Sequence, residues 1–159
     1  MTKPKEVYVL LHNIRSTYNV GSIFRTADSF GVNKIYLSGY SPTPVDKYGR
    51  LRKDISKVSL GAEQTVSWEY EKDPKKIINK LKKSGFQIVS VEQDKSSVDY
   101  KKLKLNCPTL FIMGNEVGGV EKSLLNLSDF IVEIPMLGKK ESLNVSVAFG
   151  VAMSRILGV

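Results

Sequence analysis

Apolar residues in this chain fall into short continuous runs separated by helical stripes. Residues 7–11, 35–37, 65–68, 86–91, 109–113 and 130–134 are runs of strand length. Between the first two, residues 19–30 repeat with a helical period. Val20, Ile23, Phe24, Ala27 and Phe30 form the stripe, and Gly31 is the stop signal. Residues 74–84 form a second helix, with Pro74 at its start, Gly85 beyond its end, and Ile77, Ile78 and Leu81 on one face. Its lysines surround that stripe and read as a solvated face. The last helix, opened by Ser142-Leu143-Asn144, is different. At about 100° per residue, Val145, Val147, Ala148, Phe149, Val151, Ala152, Met153 and Ile156 leave it no continuous polar face. A helix that is apolar all round is covered on more than one side. The pattern therefore predicts the rest of the fold on one side and a partner subunit on another.

Strands alternating with helices predict a single α/β domain over residues 1–159, with a mostly parallel sheet flanked by helices. Ligands of such sheets bind beyond the carboxyl ends of the strands. Three polar or glycine-rich segments follow strands here, at 12–25, 114–119 and 136–144, and can converge at one edge. Residues 39–57 read as a long loop, marked by Pro42, Pro44 and Gly49.

Charge and cysteine usage narrow the function. Lys and Arg number 24 against 16 Asp and Glu, a net charge of +8 that favours a polyanionic partner, chiefly nucleic acid. Lys47, Arg50, Arg52, Lys53 and Lys57 crowd the long loop, which is either an RNA-backbone contact or a solvated, mobile loop. One cysteine, Cys107, allows no internal disulfide, and a single histidine, His12, argues against a structural zinc site. No run reaches transmembrane length and the first residues read as a strand rather than a signal peptide, so the expectation is a cytoplasmic protein with no membrane attachment.

Each polar segment has a plain reading and a functional one. In the first, Gly21 leaves room beside Arg25 for a backbone or a phosphate, while Arg25 and Asp28 also have the spacing of an exposed ion pair. In the second, Gly114, Asn115, Glu116 and the pair Gly118-Gly119 form either a ligand-binding turn of backbone amides or the approach to a helix with Glu116 near its first turn. In the third, Ser142 has the place of a helix cap and Asn144 that of a first-turn polar residue. Neither dinucleotide-binding GxGxxG, nor a phosphate loop with GK[ST], nor a GxSxG nucleophile elbow occurs.

Together the three segments are more specific than any one. Asn19-x-Gly21-x-x-x-Arg25, then Met113-Gly114-Asn115-Glu116, then Ile134-Pro135-Met136 with Ser142-Leu143-Asn144-Val145-Ser146-Val147-Ala148, closely resemble the SpoU (TrmH-type) RNA 2′-O-ribose methyltransferases of the SPOUT superfamily, in order, spacing and residue type. The resemblance runs from Val7 to Leu157. It implies a C-terminal deep trefoil knot, S-adenosylmethionine bound within it, and a homodimer, which the nearly all-apolar helix from Val145 to Leu157 places on the first and last helices. It implies that Gly114, Ile134, Met136 and Leu143 hold the cofactor, that Arg25 is catalytic, and that Asn19, Glu116, Ser142 and Asn144 surround it. Many relatives carry a separate RNA-binding region. None is expected within these 159 residues, which leaves RNA recognition to the dimer surface.

The implied reaction is in-line methyl transfer from a sulfonium to a ribose 2′-hydroxyl, with tRNA the expected substrate and rRNA the alternative. Neither donor nor acceptor needs a Lewis acid, so no metal is expected. Arg25 acts either as the base or as a charge that stabilises the developing alkoxide, with a phosphate or Ser142 relaying the proton. A different target atom and a catalytically silent RNA-binding module are the competing function classes.

Overall fold

The computed structural model describes residues 5–159. Seven strands form one sheet: β1 (Val7–His12), β2 (Lys34–Ser38), β3 (Ser67–Tyr70), β4 (Gln87–Val91), β5 (Val98–Asp99), β6 (Thr109–Met113) and β7 (Phe130–Glu133). Their order is β3-β2-β1-β6-β4-β7-β5, and every pairing is parallel. Helices α1 (Thr17–Ser29), α2 (Lys53–Ser59), α3 (Ala62–Thr65), α4 (Pro74–Lys83), α5 (Lys122–Leu125) and α6 (Val145–Leu157) connect and cover it.

The continuous apolar runs are explained by burial on both faces. Val9, Leu11, Val89 and Phe111 pack beneath Ile23 and Phe24 of α1 and Phe149 and Met153 of α6. Leu10, Ile88, Leu110 and Ile112 point the other way, into Ile77, Ile78 and Leu81 of α4 and Leu124 of α5. The chain reverses direction across the sheet between β1 and β6. Ligands of such sheets bind beyond the carboxyl ends of the strands.

Several expected boundaries move. The run at 65–68 is split: Thr65 ends α3, and β3 begins at Ser67. The loop expected at 39–57 contains an antiparallel bridge, Val45 to Leu51, and then α2. Gly21 shows why α2 docks there. A Cβ on Gly21 would lie 2.8 Å from the Ile55 carbonyl oxygen and 2.9 Å from Val58 Cβ, so the space beside α1 is filled by the α2 backbone rather than by a ligand. α1 starts two residues earlier than expected, capped by the Ser16 hydroxyl, which accepts from the Asn19 N–H. Asn144 is the N-cap of α6, and Ser142 lies outside the helix.

Candidate active site

At the end of β6 the chain enters a turn whose glycines are needed for close approach. A Cβ on Gly114 would sit 2.3 Å from the Gly119 carbonyl carbon and 2.4 Å from its oxygen. The two ends of the turn are tied together: Asn115 N–H donates to Gly119 O at 3.0 Å, and Gly119 N–H returns to Asn115 O at 2.9 Å. Asn115 Oδ1 accepts from the Val117 and Gly118 amides, and its Nδ2 donates to Asn13 O and to the Tyr40 hydroxyl. Glu92, after β4, braces the far side by accepting from Val120 N–H at 2.8 Å.

This turn walls a cavity of about 310 Å³ beyond the carboxyl ends of β4, β6 and β7. All four expected cofactor positions, Gly114, Ile134, Met136 and Leu143, line it, and so does Ser142. Val145 and Ala148 of α6 close one side, and Glu92 and Gln93 add polar atoms at the rim. Its size falls at the lower end of small-ligand sites, and its walls mix apolar side chains with backbone polar groups as such sites do. A sulfonium nucleoside with an apolar face and a polar edge fits that chemistry.

Three expected residues come together beside the cavity in one hydrogen-bonded chain. Glu116 is not in a helix: it lies in the turn ahead of α5. It reaches across to the start of α1, where its carboxylate accepts from the amides of Arg15 (3.1 and 3.0 Å) and Ser16 (3.0 Å) and from Asn19 Nδ2 (3.1 Å). Asn19 Oδ1 in turn accepts from Asn144 Nδ2 at 3.2 Å. Asn144 Oδ1 caps α6 through Ser146 N–H at 2.9 Å and Val147 N–H at 3.4 Å. The Arg15 and Ser16 amides lie just ahead of α1, and a carboxylate at a helix N-terminus is favoured by the macrodipole. Burial works against the Glu116 charge. The Arg15 and Ser16 amides and the Asn19 amide outweigh it and hold the carboxyl below its ordinary value.

Arg25 stands apart. It is exposed on α1 and does not line the cavity. Asp28 does not pair with it, since its carboxylate accepts instead from the Thr65 hydroxyl at 2.6 Å. Ser142 lines the cavity but is exposed and does not cap α6. Sequence reasoning missed Glu92, Asn115 as the organiser of the turn, and Tyr40 behind it. Of these, only Asn115 carried a signal, as the polar residue after Gly114 at a strand end. The sole histidine, His12, is buried with Nε2 3.1 Å from Glu121 Oε1 and Nδ1 2.8 Å from Ser38 Oγ. The carboxylate only accepts, so Nε2 carries a proton there.

A parallel α/β sheet with a cavity beyond the carboxyl ends of β4, β6 and β7, walled by a glycine turn, defines a small-ligand-binding α/β protein. Residues 6–154 match the SpoU rRNA Methylase family, and the chain belongs to that family. It is 32% identical over 151 residues to a tRNA (guanosine(18)-2′-O)-methyltransferase of Aquifex aeolicus, covering 95% of this chain and 68% of the relative. It is 32% identical over 146 residues to a 23S rRNA (guanosine-2′-O-)-methyltransferase RlmB of Neisseria meningitidis, covering 92% and 56%. The fold matches the crystal structure of an AdoMet-bound rRNA methyltransferase from Sinorhizobium meliloti with a TM-score of 0.86 at 27% identity, over 96% of this chain and 56% of that one. The chain thus spans between about half and two thirds of the length of these relatives.

Proposed function

We propose that this chain transfers the methyl group of S-adenosylmethionine to a ribose 2′-hydroxyl of RNA, with tRNA favoured, and works as a homodimer. The observation that carries this reading is the convergence of Gly114, Ile134, Met136, Ser142 and Leu143 on one cavity at the strand ends, in a chain of this family. The Neisseria relative's name supports rRNA as the second substrate reading.

The cofactor, when bound, supplies a methyl already activated on a sulfonium. The protein's contribution is then position and charge. Ile134, Leu143, Val145 and Ala148 give the cavity an apolar wall that excludes water from the reacting atoms. Glu116, Asn19 and Asn144 lock the glycine turn, the start of α1 and the start of α6 to one another, so the cavity keeps its shape. Arg25 contributes the fixed positive charge of a guanidinium. It stabilises the alkoxide that forms as the 2′-oxygen loses its proton, and Ser142 or an RNA phosphate relays that proton. Arg25 does not line the cavity of its own chain, so it reaches the oxygen only when a second copy or the RNA completes the site.

The dimer reading is supported by α1 and α6, which pack side by side and leave Tyr18, Val147 and Val151 in solvent. We also read the C-terminal segment as the threaded part of a deep trefoil knot. Ile134, Met136, Ser142 and Leu143, which share one cavity with the residues at the ends of β4 and β6 just ahead of α6, support this. Among the described residues no helix is long and apolar enough to cross a membrane.

The test of the reaction is labelled methyl transfer to total RNA followed by nuclease digestion. A nuclease-resistant labelled dinucleotide is expected, because a 2′-O-methyl blocks cleavage on its 3′ side. Labelled mononucleotides would mean a base atom as the target, and no label would mean a silent binding module.

A further inference from the structure

The basic segment after β2 is hydrogen-bonded to itself. Besides the Val45–Leu51 bridge, Asp46 N–H donates to Arg50 O at 2.8 Å, Gly49 N–H to Asp46 O at 3.0 Å, and Arg52 N–H to Pro44 O at 2.8 Å. The Asp46 carboxylate fills the bend. It accepts from the amides of Tyr48 (2.8 Å) and Arg50 (3.0 Å) and from Arg50 Nε (3.1 Å). The result is a braced hairpin with Lys47, Tyr48 and Arg50 at its tip.

Tyr48 is 69% exposed, with Lys47 Nζ 5.0 Å and Arg50 Cζ 4.9 Å from its ring centre. Cations held at that range are drawn by the ring quadrupole. The charge continues into α2 through Arg52, Lys53 and Lys57. Against these five cations the segment sets only Asp46, already spent on the bend, and Asp54 at the start of α2. Arg52 Nε is the one buried side-chain nitrogen or oxygen without a hydrogen-bond partner among the described residues.

We propose that this hairpin grips an unpaired stretch of the RNA substrate, with Tyr48 stacking on a splayed base and Lys47, Arg50 and the start of α2 neutralising the flanking phosphates. This rests on the RNA methyltransferase reading and narrows its substrate class to RNA with unpaired nucleotides near the methylated ribose. Cations alone would suit any nucleic acid, because phosphate contacts carry no selectivity. The exposed ring makes the difference. Bases in an A-form helix are stacked on one another and its major groove is too deep to read, whereas loops and ends offer free base faces. An aromatic ring flanked by guanidinium and ammonium groups is the usual platform for such faces. The rigid bend adds to this, because a tip fixed in advance loses little entropy on binding.

The experiment is fluorescence anisotropy of the full chain with two RNA probes of equal phosphate number, one a stem–loop and one fully paired. Tyr48→Ala is expected to weaken stem–loop binding about ten- to a hundredfold and leave duplex binding unchanged, while Tyr48→Phe keeps both. Lys47→Gln is expected to weaken both probes and reduce the slope of log affinity against log salt by about one. S-adenosylmethionine binding, measured on each variant, reports that the fold is intact. Unchanged stem–loop affinity in Tyr48→Ala overturns the proposal. So does an equal loss on both probes, or a wild-type chain that binds neither. The two readings separate cleanly. Tyr48-dependent stem–loop binding with no methyl transfer to any RNA would sink the methyltransferase reading alone. Normal methyl transfer with Tyr48 dispensable for binding would sink the grip alone.

Discussion

Glu116 is the residue whose surroundings most constrain its role. Its carboxylate accepts from the Arg15 and Ser16 amides just ahead of α1 and from Asn19 Nδ2, so it is a tether between the glycine turn and α1 rather than a free base. Its carboxyl is held below the ordinary value. Burial raises it, but the Arg15, Ser16 and Asn19 donors lower it further. The sign follows from the depressed carboxyl. The stabilisation is fully present above the unfolded value, about 4.3, and is lost as pH falls through the folded one. Glu116→Gln, which keeps the shape without the charge, should therefore lose less stability on acidification than the parent does, as read by melting temperature across that range. Equal acid limbs would show that the tether contributes no proton linkage. Arg25 is the opposite case, exposed and unattached to the core stripe of its helix. Arg25→Ala should leave cofactor affinity unchanged and lower single-turnover transfer by about a hundred- to a thousandfold, the usual cost of one lost donor to a developing oxyanion. Arg25→Lys should restore little, because a lysine offers a point charge and not a fork. Near-normal turnover in Arg25→Ala would remove it from the mechanism.

At the scale of elements, legibility followed burial. β1 and β6 were readable because both faces of each strand are covered, which forces an unbroken apolar run. α1 was readable from its stripe, except at its start, where the cap is Ser16. α2 and α3 were not readable. α2 is seven residues long and buries only Ile55 and Ser59, too little to register as a stripe, and it stops at Leu60 in the left-handed region (φ 52°) without a glycine there. The start of α6 was misread for a related reason: Ser142 and Asn144 are both good caps, and only tertiary geometry selects Asn144. That residue does two separable things. Its Oδ1 caps α6 and its Nδ2 holds Asn19. Asn144→Ala loses both and should cost about 1 kcal/mol, or about 2–4 °C in melting temperature for a chain of this size. Asn144→Asp keeps the cap but sets an acceptor against the Asn19 oxygen. It should retain most of the stability and lose methyl transfer. Full activity in Asn144→Asp would show that the link to Asn19 is idle.

For the whole molecule, the telling feature is that α6 is more apolar than one chain can bury. Val145, Phe149, Ala152 and Met153 are buried against the sheet and α1, yet Val147 is 49% and Val151 39% exposed on the other side. Tyr18, 61% exposed at the start of α1, lies on the helix packed beside it. An apolar face left on two adjacent helices is the kind of surface that a second copy of the chain covers, and a two-fold contact sets the same helices against each other. Arg25 belongs to the same argument, since it projects from α1 and does not line its own cavity. Val151→Glu tests this at one point. The side chain is exposed within the chain, so the fold has room for a carboxylate, but a dimer would have to bury it unpaired. That typically costs about 3–5 kcal/mol, enough to weaken association by more than a hundredfold. The expected result is a monomer by light scattering at micromolar concentration, with unchanged secondary structure, preserved S-adenosylmethionine binding and lost methyl transfer. A dimer that survives Val151→Glu would place the interface elsewhere. A monomer that still transfers methyl groups would mean that one chain, with RNA alone, completes the site.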